Sequence, residues 1–306
     1  MTETLKPEAT WRSPVLEESK RLDLAGGSLD YFDVGDGPVV AFVHGLFVNA
    51  NTWRGVVERL KSDFRCVVFD LPAGAHSDAV PPRTGRGPVA VADLVAEGIE
   101  ALDLEDVTLV GNDSGGFMCQ AIATSSPERI GRLVLTSCDF RDNYPPKLFR
   151  YLVPVSKVPP AYYLLIQSLR IPWVRNLPIG FGWLTLRPVE DRVAATYLLP
   201  NLTSARVRRD TRDFIRGVDR KDSNRVADRL REFEKPALIA WSAEDKVFPP
   251  ADATALAAAL PESRLEWIDD AYTFSMEDNP DRLASLIRGF AAPNSPVASP
   301  NSPAAK

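Results

Sequence analysis

VTLVGNDSGG, residues 107–116, is the stretch that decides the fold. Four strand-favouring residues run straight into a glycine-rich turn, and an amphipathic pattern over 115–126 follows, giving a strand–turn–helix unit. Such a turn can present a nucleophile at the end of a strand, provided the residues two before and two after it are small enough for the backbone to pass. With Asp113 as the centre those residues are Gly111 and Gly115; with Ser114 they are Asn112 and Gly116, and asparagine is not small. The spacing therefore favours Asp113. A phosphate-cradling or purely structural glycine turn would read the same way in isolation, so the surrounding pattern has to decide.

Working outward, short apolar runs alternate with longer helical patterns, the signal of a mostly parallel sheet covered by helices. Strands are expected at 20–25, 28–34, 39–44, 64–70, 107–111, 132–137, 237–242 and 264–269. Amphipathic helices are expected near 52–61, 89–102, 115–126, 251–260 and 279–291. Residues 140–222 break this rhythm: they are rich in proline, arginine and aromatics (Tyr144, Phe149, Tyr151, Tyr162, Tyr163, Trp173, Phe181, Trp183, Tyr197) and lack strand alternation. They read as a helical cap inserted in a core made of 20–139 and 223–291, with 1–19 an N-terminal extension. Most of the aromatics suit the cap's own core, and an apolar cap over a sheet end makes an apolar pocket. The C-terminal 292–306, rich in Ala, Pro, Ser and Asn, reads as a disordered tail.

Composition narrows the function classes. The 306 residues carry a net charge of −5, an acidic balance that offers no footprint for nucleic acid or an anionic membrane, so neither is expected as a partner. Three cysteines without ligand spacing point away from a disulfide framework or a metal centre, and no cofactor is expected. The N-terminus has no apolar signal region and no stretch reaches membrane-spanning length, so a cytoplasmic protein is expected.

The remaining punctuation follows the strands in order: HGLFVNANTWR at 44–54, DLPAGAHS at 70–77, WSAEDKVFPP at 241–250 and DDAYTFSMEDNPDRLASLIRGF at 269–290. In this order and spacing the chain, from about residue 20 to 291, resembles the α/β-hydrolase superfamily, and within it the haloalkane dehalogenase and epoxide hydrolase branch. The resemblance implies that Asp113 attacks substrate carbon, that the backbone N–H groups of Leu46 and Ser114 form an oxyanion hole, and that Asp245 is the acid that orients a catalytic histidine. At the histidine position the chain has Thr273, within Ala271-Tyr272-Thr273-Phe274. The two histidines, His44 and His76, lie far upstream; His44 belongs to the oxyanion segment and His76 stands where the family's motif carries arginine. Ser114 and Leu46 replace residues that hold halide in dehalogenases, while Tyr151, Tyr162, Tyr163 and Tyr197 are available as cap acids for epoxide opening. His44, Asn49 and Asn112 are further pocket candidates, although Asn49 and Asn51 equally suit an exposed loop.

Threonine cannot activate water as imidazole does, which leaves two carboxylates, each able to raise the other's pKa. Three functions remain open. The first is an enzyme acting on a small apolar epoxide, halide or ester through Asp113. The second is a non-hydrolytic member that binds a hydrophobic ligand. The third is a serine hydrolase using Ser114.

Overall fold

The computed structural model describes residues 11–76 and 87–292. All eight expected strands form: β1 Lys20–Asp23, β2 Ser28–Val34, β3 Val39–Val43, β4 Arg65–Asp70, β5 Val107–Asp113, β6 Ile130–Cys138, β7 Ala237–Ser242 and β8 Ser263–Ile268. They make one sheet in the order β1-β2-β4-β3-β5-β6-β7-β8. β2 runs antiparallel to β1 and β4, and every other neighbouring pair is parallel. β5, which carries the glycine-rich turn at its end, lies in the middle between β3 and β6.

Both faces of the sheet are covered, and the alternation along each strand shows how. In β3, Val40 and Phe42 pack into one apolar cluster and Ala41 and Val43 into another. The first cluster takes in α1 (Arg54–Leu60) and α12 (Pro280–Ala291). The second takes in α2 (Pro88–Ala101), α3 (Ser114–Ser125) and α10 (Pro250–Ala259). This double burial is why β3, β4 and β5 read as near-continuous apolar runs.

Between β6 and β7 the chain is helical: α4 Leu152–Ser156, α5 Pro159–Ser168, α6 Pro172–Arg175, α7 Asp191–Thr203, α8 Ala205–Arg216 and α9 Arg220–Arg229. The expected boundary at 222/223 falls inside α9, which packs on α3 and α10. A short α11 (Ser275–Asp278) precedes α12 and ties the insertion down. There Glu277 binds Arg54 of α1 at 2.7 and 2.8 Å and accepts from the Tyr197 hydroxyl of α7 at 2.9 Å. Of the N-terminal segment, Trp11 packs on the first cluster, and Arg12 grips Asp70 at the end of β4. That grip holds the buried Asp70 carboxyl down at about 2, against the upward push of burial.

Cys66, Cys119 and Cys138 are all buried and unpaired. Among the described residues no helix is long and apolar enough to cross a membrane. The expectation of a disordered tail concerns residues that, from 293 on, lie outside the described ones.

The β5–α3 turn explains its glycines. A Cβ at Gly115 would run into the carbonyl oxygens of Val43 and His44, and one at Gly111 would lie 2.6 Å from both the Cys119 sulfur and the Gly115 oxygen. Gly115→Ala is therefore expected to cost about 1–3 kcal/mol, read as a lower denaturant midpoint at unchanged slope.

Candidate active site

Asp113 closes β5 and caps α3 with φ 54° and ψ −132°, a left-handed conformation that a residue with a Cβ adopts only where its surroundings force it. The turn lifts its carboxyl out of the sheet end and brings it against Gly45, where any side chain would fall on the Asp113 carboxylate. Above it lies an apolar cavity of about 90 Å³. Its walls include Leu46 and Phe47 from the β3 loop, Phe149, Leu165 and Phe181 from the insertion, and Phe214 and Ile215 from α8. Asp113, Ser114, Asp139, Tyr144 and Tyr151 supply the polar groups of the lining, which among the described residues contains no lysine, arginine or histidine.

Burial pushes the Asp113 carboxyl up to about 7. The backbone N–H groups of Ser114 and Leu46 pull it back down, and the neighbouring Asp245 adds to the rise. The two N–H groups singled out from sequence thus lie within reach of the Asp113 carboxylate. The Leu46 N–H also donates to Ser114 Oγ at 2.9 Å.

Asp245 sits in the loop after β7, where its Oδ1 accepts from the N–H groups of Val247 (2.7 Å) and Phe248 (2.8 Å). The Thr273 hydroxyl donates to the same oxygen at 3.0 Å. Burial raises this carboxyl to about 6, with those N–H groups and the hydroxyls of Ser137 and Thr273 opposing the rise. Asp113, Ser114, Leu46, Asp245 and Thr273 therefore gather at one end of the sheet. Thr273 itself is fully buried and does not line the cavity.

Three pocket candidates belong elsewhere. His44 is fully buried with both ring nitrogens engaged: Nε2 accepts from the Leu71 N–H at 2.9 Å, which leaves Nδ1 to donate to the Gly45 oxygen at 2.8 Å. Asn49 donates to the Thr196 oxygen of α7 at 3.1 Å and, like Asn51, is buried rather than exposed, because both join the β3 loop to the insertion. Asn112 donates to Thr136 and to the Thr273 oxygen (2.8 Å), bracing β5 against β6 and the β8 loop. None of the three lines the cavity. His76 is also remote from it, buried with Nε2 3.5 Å from Asp210 Oδ2 on α8. Among the tyrosines named from sequence as cap acids only Tyr151 reaches the cavity, and its hydroxyl already donates to the Ile179 oxygen at 2.9 Å.

Two residues of the site escaped the sequence reading. Asp139, directly after β6, is 2% exposed and lines the cavity; its N–H donates to the Asp113 oxygen at 3.4 Å, and its Oδ1 has no hydrogen-bond partner among the described residues. Burial and the charges of Asp113 and Asp252 push its carboxyl well above the usual carboxylate range. Tyr144, read from sequence only as one of the insertion's aromatics, is buried against Phe117, also lines the cavity and has a hydroxyl without a partner among the described residues. The signal for Asp139 was its place at the carboxyl end of a central parallel strand, where sites in such sheets form. Among the described residues no group of three or more His, Cys, Asp or Glu side chains has the geometry to hold a metal ion.

The comparisons with known proteins agree with this architecture. A family model described as alpha/beta hydrolase fold matches residues 38–280, and the chain belongs to that family. It is 28% identical over 286 residues to haloalkane dehalogenase 2 of Mycobacterium tuberculosis, covering 88% of this chain and 93% of that protein. It is 26% identical to 2-hydroxy-6-oxononadienedioate/2-hydroxy-6-oxononatrienedioate hydrolase 1 of Dechloromonas aromatica, covering 94% and 98%. Among solved structures, the delta mutant of DBJA superposes with a TM-score of 0.74 at 19% identity, covering 90% of this chain and 98% of that one. An alpha/beta hydrolase fold protein from Burkholderia ambifaria superposes with a TM-score of 0.70 at 17% identity, covering 88% and 99%.

The raised Asp113 pKa has a consequence for stability. A carboxyl with a higher pKa folded than unfolded binds more protons in the native state between roughly pH 4 and 7, so its destabilising effect grows over that window and is complete above it. Asp113→Asn is expected to stabilise the protein on the order of 2 kcal/mol at pH 8 and hardly at all at pH 4, measured as the difference in chemical unfolding at the two pH values.

Proposed function

We propose that the chain is an enzyme that takes a small, largely apolar molecule into the cavity and attacks it with Asp113, while Asp139 performs the proton transfers that fall to histidine in the resembling enzymes. The observation that carries this reading is the pair of carboxyls that line one apolar cavity, Asp113 half-buried and Asp139 buried, with both histidines outside its lining. A lone pair of the Asp113 carboxylate forms a bond to an electrophilic carbon, and the bond from that carbon to a leaving oxygen breaks with its electrons. Protonated Asp139 gives that oxygen its proton. The product is an ester on Asp113 if the substrate is an epoxide, or a mixed anhydride if it is an acyl ester, with Asp139 left as a carboxylate. Asp139 then takes a proton from a water molecule that attacks the Asp113 carbonyl, and the N–H groups of Leu46 and Ser114 receive the developing oxyanion; its collapse breaks the bond to the departing substrate oxygen, which carries away the proton left on the Asp113 carboxyl, so that Asp113 is ionised and Asp139 protonated again. One carboxyl as nucleophile and a second, higher-pKa carboxyl alternating between acid and base is the division of labour found in retaining glycosidases.

Thr273 at the expected histidine position supports the need for such a substitute: its hydroxyl satisfies Asp245 but has no proton to exchange near neutrality. An oxygen leaving group suits a protonated Asp139 better than a halide does, because a departing halide needs no proton. Ser114 is the weaker nucleophile in this setting, since no imidazole stands beside it and its hydroxyl is engaged with Leu46. The insertion acts as a cap, closing the cavity over Asp113 with aromatic and aliphatic side chains.

Incubation with a panel of epoxides and activated esters is expected to add mass to the peptide that contains Asp113, and Asp113→Asn is expected to abolish both adduct and turnover. If a fluorophosphonate labels wild type but not Ser114→Ala, and Asp113→Asn keeps its activity, the assignment to Asp113 is wrong. The rate is expected to rise as Asp113 ionises through about pH 7 and to fall at higher pH as Asp139 loses its proton. In the adduct-forming step, Asp139→Asn should erase the high-pH limb and slow poor leaving groups about 100-fold or more, with activated ones affected least.

A further inference from the structure

Nine large apolar side chains are exposed among the described residues, and eight of them fall within residues 158–183. Trp173 is 69% exposed, Leu164 67% and Ile179 44%; Val158, Tyr163, Ile171, Leu177 and Trp183 complete the set. Scattered exposed apolar residues need no explanation, but a concentration on two neighbouring helices, α5 and α6, and the loop after them does.

The charge of the same part of the chain is also unlike the rest. Residues 140–222 hold fifteen Lys and Arg against seven Asp and Glu, a net +8. The remainder of the chain is then −13, so the overall −5 averages two regions of opposite sign. Basic side chains border the apolar ones directly: exposed Lys157 precedes Val158, Arg170 precedes Ile171, and the Arg208 guanidinium stacks 5.0 Å from the Tyr163 ring centroid.

We infer that this face of the insertion docks onto an anionic lipid bilayer, with Trp173, Leu164 and their neighbours entering the headgroup region and the surrounding lysines and arginines meeting the lipid phosphates. Tryptophan and tyrosine favour that interface, and cations beside an apolar face are the composition of segments that lie in it rather than cross it. A second copy of the chain is the poorer occupant, because a two-fold contact would bring two net-basic insertions together. The face is also continuous with the cavity wall, since Ile179 is at once exposed and part of the lining. A lipophilic molecule dissolved in the bilayer would then lie beside the cavity. The inference is independent of the reaction assigned to Asp113.

The test is flotation of the full chain with vesicles of phosphatidylcholine alone or mixed with phosphatidylglycerol. Flotation with the mixed vesicles only is expected, weakening as salt is raised. Trp173→Ser combined with Leu164→Ser, and Lys157→Glu combined with Arg170→Glu, should each weaken partitioning about tenfold or more while leaving the thermal midpoint unchanged. Absence of flotation, or equal flotation with both vesicles, overturns the inference. So does a wild-type dimer seen by sedimentation that the Trp173→Ser/Leu164→Ser variant loses, which would assign the face to a second copy. A complex with an acidic protein in place of vesicle binding would overturn it equally.

Discussion

The structure hangs on the closeness of three backbone segments: the end of β3, the end of β5 and the first turn of α3. Gly45, Gly111 and Gly115 let them meet where side chains would collide. That contact forces Asp113 into a left-handed conformation and points its carboxyl out of the sheet. The same closeness brings the N–H groups of Leu46 and Ser114 beside the carboxyl, so the strain of the turn and the polarity of the site have one origin. The cavity follows from what lies above this point: an insertion whose inward side chains are aromatic and aliphatic, with no cation among them.

The fold was legible because its signals are local. Apolar runs a few residues long, glycines two residues either side of Asp113 and helical patterns of ordinary length are each written in a continuous stretch, and all eight strands form close to where they were expected. The site was legible in part. Asp113, Ser114, Leu46, Asp245 and Thr273 assemble at the sheet's carboxyl end, because each follows a strand end whose place in the sheet is fixed by strand order. Asp139 and Tyr144 were missed because their proximity to Asp113 depends on where the chain goes after β6, which no periodicity records. For the opposite reason His44, Asn49 and Asn112 read as pocket groups: polar residues beside a motif look available until their partners are seen, and here all three are consumed in bonds that hold loops together.

An apolar site with several carboxyls and no imidazole changes which protons are available near neutrality. In water these groups would all be ionised at pH 7. Burial and mutual repulsion raise them, Asp113 to about 7 and Asp139 well above the usual carboxylate range, so one can attack while another still holds a proton. The protein pays for this in stability, since each raised carboxyl opposes folding as the pH rises. In the proposed reaction the acid role passes from a side chain with a naturally suitable pKa to one whose surroundings make it suitable. Under the two proposals the insertion has two jobs: it supplies the apolar walls that raise those pKa values, and it presents the basic, tryptophan-bearing face toward the source of an apolar substrate.

The measurement that most directly tests the division of labour between the two carboxyls is the stoichiometry of leaving-group release from an activated ester by Asp139→Asn. The account predicts a burst of about one equivalent per protein followed by a stall, with the acyl group held on Asp113, because the attack is intact and the water-activating base is gone. Continued turnover at the wild-type rate in Asp139→Asn, or a burst that survives in Asp113→Asn, would contradict it.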